Sequence, residues 1–169
     1  RVYGYVLESL GNRYGDAIEA YKDAAEINPN LTFLYISIGV NYRQLKQYDM
    51  ALEYFAKAAK VNEQNDVKDP IPYLAIANTY IQTGDSFVAA RNVMKALEFT
   101  PASPEVYAQL GLVYFKSRNY EGSIPAFACA IDGCSALESC IVRQDCSEDS
   151  DPATVPPFEI NGLPLTPKT

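Results

Sequence analysis

One spacing recurs along this chain and decides what it can fold into: small and aromatic residues return every 34 positions. Ala17 and Ala51 are 34 apart, as are Tyr21 and Phe55, Ala24 and Ala58, and Ala96 and Ala130. A column of Tyr35, Tyr73 and Tyr107 is followed by Ile38, Ile76 and Leu110, by Gly39, Ala77 and Gly111, and by Tyr42, Tyr80 and Tyr114. The second and third members of each set are 34 apart and the first and second are 38, so four extra residues, Asp66 to Asp69, sit in one connection. A fixed period of this size marks stacked units, none of which can bury its apolar face alone.

Within each unit the apolar positions fall at i, i+3, i+4 and i+7, as in Tyr35, Ile38, Tyr42 and Leu45, then Leu52, Phe55 and Ala59. That is the pattern of two amphipathic helices. Turn signals separate the helices of a pair at Gly11-Asn12, Gly84-Asp85 and Arg118-Asn119, and Asn28-Pro29-Asn30 and Pro101-Ala102-Ser103-Pro104 separate one pair from the next. Pro29 and Pro101 stop a helix because proline has no amide proton and its ring clashes with the preceding turn. The small residues Gly39, Ala77 and Gly111 are expected to face Ala51, Ala89 and Ser123, where larger groups would push paired helices apart. The expected fold is all-α: tandem antiparallel helix-turn-helix repeats followed by an irregular C-terminal tail.

These columns, aromatic, Leu/Ile, Gly/Ala and Tyr, then Ala, Phe/Tyr, Ala and Pro, resemble the tetratricopeptide repeat over residues 1–133. The resemblance implies a right-handed α-solenoid of four units, 1–31, 32–65, 70–103 and 104–133, whose first helices line a concave groove that binds peptides. Three departures stand out. Glu63 replaces the usual proline, Gln47 replaces the turn glycine, and the first helix carries one extra residue. Pro125 is expected in the first turn of the last helix, where amides lack partners anyway.

The core columns use one face of each first helix, so residues one step round face the groove: Tyr5, Phe33, Ile36, Val40, Arg43 and Gln44, then Ile71, Leu74, Asn78, Ile81 and Gln82, then Ala108, Leu112, Phe115 and Lys116. Most are apolar, and an exposed apolar strip marks a partner site. The known carboxylate clamp of this family needs Lys, Asn and Arg where this chain has mostly Phe, Ile, Leu and Val, with only Arg43, Asn78 and Lys116 as donors. An amphipathic helix or extended apolar segment fits better, with Asn78 and Gln82 as hydrogen-bond donors. A helical phase one position off would instead bury Phe33, Ile36, Ile71 and Leu74 between hairpins.

Composition narrows the function. Fourteen Lys and Arg against 21 Asp and Glu give a net charge of −7 with no basic block, which repels a nucleic-acid backbone. No apolar run is long enough for a membrane helix. No histidine and no phosphate-binding glycine loop are present, so the chain is not expected to be an enzyme or to carry a cofactor. The chain starts with Arg1 in mid-pattern and ends on Pro-Lys-Thr, which reads as a fragment or processed form.

Cys129, Cys134, Cys140 and Cys146 all lie within 18 residues. Spacings of five, six and six without histidine argue against zinc. Two local disulfides, Cys129 with Cys134 and Cys140 with Cys146, are the preferred use, since Gly133 can reverse the chain; other pairings and reduced thiols remain as alternatives. Disulfides favour an extracytoplasmic compartment, and Phe127 to Cys134 resembles repeat arrays of exported bacterial proteins. Residues 134–146 read as a Cys-rich cap and 147–169 as a Pro-rich tail or linker. Val155, Phe158, Ile160, Leu163 and Leu165 give the tail apolar anchors to cover Ile124, Phe127 and Ile131 or to enter a groove. The expected function is a protein-interaction scaffold; the alternatives are self-assembly through the tail and a recruiting domain of a larger enzyme.

Overall fold

The computed structural model describes residues 2–9, 13–155, 159–160 and 163–164. It contains two compact units, Arg1–Thr83 and Gly84–Thr169. The first holds α1 (Val2–Ser9), α2 (Tyr14–Ile27), α3 (Thr32–Gln44), α4 (Tyr48–Gln64) and α5 (Ile71–Thr83). Each of these helices packs on the next, and α3 also meets α5. The second unit holds α6 (Ser86–Phe99), α7 (Pro104–Lys116), α8 (Tyr120–Asp132) and α9 (Ala136–Val142), then a single 3-10 turn at Pro152–Thr154. In the tail, β1 (Glu159–Ile160) pairs antiparallel with β2 (Leu163–Pro164), Ile160 opposite Leu163. The fold is all-α apart from this pair, which the irregular reading of the tail did not include.

Proline sets the helix ends as expected. Asn28 and Thr100, the C-caps of α2 and α6, take φ of −138° and −136°, the extended backbone that a following proline imposes. Asp85 and Asn119 cap α6 and α8 by accepting from the Val88 and Gly122 amides, contacts worth about 1 kcal/mol each. Pro125 corrects the sequence reading. It is the sixth residue of α8, so its missing amide removes an interior hydrogen bond to Glu121, one turn later than a harmless position.

The turn glycine is also one residue from its expected place. Lys46 and Arg118 have φ of 58° and 63°, the left-handed backbone that Gly84 adopts at 92°. Lys46, not Gln47, therefore stands where glycine would be. Both side chains are exposed, so Lys46→Gly and Arg118→Gly remove the strain of a Cβ in this region. Each is expected to raise stability by up to about 1 kcal/mol after the added chain entropy of glycine is subtracted. Urea midpoints check this; a fall in midpoint for both would refute it.

The close approach of paired helices is made by glycine against an aromatic ring. A Cβ on Gly39 would lie 2.5 Å from the Phe55 ring, and one on Gly111 2.8 Å from Phe127. Ala51 and Ser123 are buried, but the tight contacts fall one turn beyond them. Gly4 meets Tyr21 in the same way, at 2.7 Å. This pair is 17 residues apart where the others are 16, which locates the extra residue of the first hairpin.

Tyrosine hydroxyls tie α3 and α7 to the preceding connection and α5 to the end of α4. Tyr35 donates to the Pro29 carbonyl at 2.9 Å and Tyr107 to the Pro101 carbonyl at 2.8 Å. Where Glu63 replaces proline, Tyr73 donates to the Glu63 carboxylate at 2.7 Å instead. Tyr73 and Tyr80 are only half-buried, unlike the Tyr35, Tyr42, Tyr107 and Tyr114 core positions.

Candidate interaction surfaces

In the Arg1–Thr83 unit the expected groove residues form one stripe on α3 and one on α5, neighbouring helices. Phe33, Ile36 and Val40 are partly buried and packed against the core. Phe33 and Ile36 thus take a middle position between the open groove and the fully buried alternative. Ile71, at the start of α5, is 54% exposed. Leu74, Asn78 and Ile81 are half-buried, and Gln44 and Gln82 are exposed. The Tyr5 side chain lies outside the described residues.

Arg43 continues the α3 stripe. Its guanidinium sits 5.8 Å from the centre of the Phe55 ring, and its Nη1 is buried without a hydrogen-bond partner among the described residues. Burial lowers the guanidinium pKa, but an arginine stays charged at neutral pH. A charged N–H without an acceptor is costly in such a place.

In the Gly84–Thr169 unit, α7 carries Ala108, half-buried, then Leu112, Phe115 and Lys116, all exposed. Phe115 meets the Tyr120 ring edge-on at 5.5 Å. The four cysteines form the two preferred pairs, Cys129 with Cys134 and Cys140 with Cys146, with Cα separations of 4.8 and 5.3 Å. Between these links lies α9, opened by a capping box in which Ser135 and Glu138 exchange hydrogen bonds. This short helix satisfies both buried tyrosines of α7. Tyr107 and Ser139 hydroxyls are 2.6 Å apart, and the Tyr114 hydroxyl donates to the Val142 carbonyl at 2.7 Å. Burial raises both phenol pKa values, that of Tyr114 to about 12, with Asp145 adding to the rise. The sequence offered no sign of this helix beyond the Ser135-x-x-Glu138 spacing.

The far side of α8 is different. Ile131 is 81% exposed, whereas Leu97, Ala59 and Ala25, its equivalents in the earlier units, are at most 8% exposed. Ile124 is exposed as well and Phe127 is half-buried. The expected cover by the tail is not made by any described residue; Val155 is buried, while Phe158 and Leu165 lie outside the described residues. Among the described residues no cluster of His, Cys, Asp or Glu is placed to hold a metal, and no helix is long and apolar enough to cross a membrane.

The tetratricopeptide repeat model matches residues 32–65. The chain is 30% identical over 112 residues to BBSome complex member BBS4 of Bos taurus, a match covering 66% of this chain and 21% of that protein. It is 28% identical to anaphase-promoting complex subunit 3 of Schizosaccharomyces pombe over 67% of this chain and 17% of that protein. The chain thus spans about a fifth of the length of its BBS4 relatives. Among solved structures, a MamA protein superposes with a TM-score of 0.65 at 18% identity, covering 84% of this chain and 72% of that one. A chain of the APC/C Cut9–Hcn1 hetero-tetramer superposes with a TM-score of 0.60 at 18% identity, over 71% of this chain and 22% of that one. These structures share the α-solenoid repeat fold. Tetratricopeptide repeats mediate protein–protein interaction, and the two sequence relatives are named as members of multiprotein complexes. The 34-residue period, the glycine-on-aromatic helix pairs and these likenesses agree: the chain is a tetratricopeptide-repeat protein.

Proposed function

We propose that the chain is an interaction scaffold whose α3–α5 strip takes an apolar peptide or one face of an amphipathic helix from a protein partner, with Leu112 and Phe115 of α7 serving the same role in the second unit. The observation that carries this reading is Arg43, whose buried Nη1, at the end of an apolar stripe, lacks an acceptor among the described residues. A docked backbone carbonyl or side-chain oxygen supplies that acceptor. Phe33, Ile36, Val40 and Leu74 then contribute apolar area on either side. The exposed rim residues Ile71 and Leu112 are the points where a change disturbs binding without disturbing the core.

Peptides selected from a displayed library on the immobilised chain provide the probe. An Ile71→Lys, Leu112→Lys double variant is expected to keep its helical circular dichroism and to bind those peptides at least about tenfold more weakly, the loss that follows when about 1.4 kcal/mol of contact is removed. Arg43→Gln is expected to weaken the same peptides. Selected peptides that bind both variants as tightly as the parent chain rule the strip out.

A further inference from the structure

We infer that the open face of α8 takes α1 of a second copy, so that copies of this chain join head to tail. The inference is independent of the α3–α5 strip. It starts from a contact made three times inside the chain: α2 packs on α3, α4 on α5 and α6 on α7, each the second helix of one hairpin against the first helix of the next. Contacts of this kind hold stacked repeats together. In the same scheme α8 is a second helix and α1 a first helix, and each leaves residues of this contact open to solvent.

Ile131 is bare where Leu97, Ala59 and Ala25 are covered, and Ile124 repeats the difference. It is 70% exposed, whereas Ile18, which holds its place in α2, is 3% exposed. On α1, counting from Gly4 against Gly39, Tyr3 and Val6 hold the places of Ile38 and Asn41 in α3 and of Leu110 and Val113 in α7. Those four residues are at most 1% exposed, but Tyr3 and Val6 are 67% and 44% exposed. Apolar side chains open at places that are otherwise buried mark a partner surface. Here the two surfaces are the two halves of one repeated contact.

The internal contacts also give the register. Ala25, in the place of Ile131, and Ile38, in the place of Tyr3, face the same space, a cavity of about 360 Å³. Ala90, in the place of Ile124, and Val113, in the place of Val6, face another of about 420 Å³. Carried over to two copies, Ile131 meets Tyr3 and Ile124 meets Val6. The two helices then run in opposite directions, with side chains of one seated between those of the other.

The chain after α8 keeps this face clear. Gly133 turns at φ 81°, a left-handed backbone that glycine takes without strain, and the link from Cys134 to Cys129 holds the turned chain. Helix α9 is thereby led to the Tyr107 and Tyr114 hydroxyls and leaves Ile131 bare. Because the contact joins unlike faces it is heterologous, and each copy in a joined pair keeps one face free for another. One helix on one face covers less than the roughly 1,200–2,000 Å² of a standard interface. Association is therefore expected to be weak, with a dissociation constant on the order of 0.1 mM.

Sedimentation equilibrium of the full chain from about 10 μM to about 1 mM, a range that brackets this constant, tests the contact. The parent chain is expected to pass from monomer to species of at least about twice its mass. An Ile124→Lys, Ile131→Lys variant removes the α8 half of the contact, and a Tyr3→Lys, Val6→Lys variant removes the α1 half. The replaced side chains are exposed, so both variants are expected to keep the helical circular dichroism of the parent. Each variant alone is expected to stay monomeric. Their equimolar mixture is expected to form a one-to-one dimer and nothing larger, because one intact α8 face and one intact α1 face remain. A parent chain that stays monomeric at about 1 mM overturns the contact. Association of the Tyr3→Lys, Val6→Lys variant alone also overturns it, since the tail or α8 itself is then the occupant. Association of the Ile124→Lys, Ile131→Lys variant alone, or a mixture that stays monomeric, does the same.

Discussion

Replacing Gly39 by alanine is expected to destabilise the Arg1–Thr83 unit by about 2 kcal/mol, because two opposed effects of known size meet at this residue and the steric one wins. Alanine in a helix interior is favoured over glycine by about 1 kcal/mol. Against that, the new Cβ falls 2.5 Å from the Phe55 ring, about 1 Å inside ordinary carbon contact. The ring has nowhere to go: Phe55 is fully buried among Ala51, Ala58 and Ile38, each of them also 0% exposed. Overpacking of a close-packed core costs about 1 to 3 kcal/mol and at times more. Phe55→Leu makes room, so the double variant is expected to be more stable than the sum of the single changes predicts, by about 1 kcal/mol or more. Gly111→Ala is expected to cost less, since its contact is 2.8 Å and the Phe127 ring is half-buried and able to yield. Denaturant midpoints of the parent chain, the Gly39→Ala, Phe55→Leu and Gly111→Ala variants and the double variant measure all three effects. If Gly39→Ala stabilises the protein, helix propensity rules this position and the glycine has no steric role.

The same pair shows how far a sequence carries its fold. Gly39 and Phe55 recur as Gly111 and Phe127 because the second and fourth hairpins solve one packing problem in the same way, while the third pairs Ala77 with Val93, and repetition makes that solution readable. Lys46 and Arg118 were harder to read. The left-handed turn is set by backbone geometry, and a lysine or arginine that tolerates it looks like any surface residue. Pro125 misled although the turn at Arg118-Asn119 was placed correctly, because six residues into the helix the proline is already past the unpaired first-turn amides. Tyr73 kept its place in the column, but with Glu63 where proline usually stands its hydroxyl meets the Glu63 carboxylate.

The surfaces were less legible than the fold, for a physical reason. Helical periodicity separates core from non-core, yet it does not separate a half-buried residue from an exposed one on the same flank. Phe33 and Ile71 were grouped together, and packing divides them. The two disulfides bracket α9, which belongs to no repeat and has only seven residues. A helix that short does not form by its own propensity. Its existence rests on covalent links and on two tyrosine hydroxyls, and neither leaves a periodic signal.

Loss of the Cys140–Cys146 link is the sharpest way to test that account of α9. Converting both residues to serine is expected to lower the stability of the Gly84–Thr169 unit by about 2 kcal/mol, the loop-closure effect of a link spanning so few residues. The larger change is expected at Tyr114. Its phenol is held at about 12 by burial beneath α9, against an ordinary value of about 10. In the folded chain this group binds its proton more tightly than in the unfolded one. Its contribution is therefore fully present below pH about 10 and is lost as pH rises from there through about 12. Without the link, α9 loses the constraint that keeps the Val142 carbonyl over the hydroxyl, and Tyr114 is expected to titrate closer to 10 with a shallower alkaline loss of stability. Carbon-13 titration of the tyrosine rings, with Tyr114→Phe to assign the resonance, reads the shift directly. Denaturation at pH about 9 and about 11 reads its effect on folding, on the two sides of the unfolded value. A Tyr114 resonance that titrates at the same pH in parent and variant would mean that α9 stays in place by packing alone and that the disulfide adds only loop-closure stability.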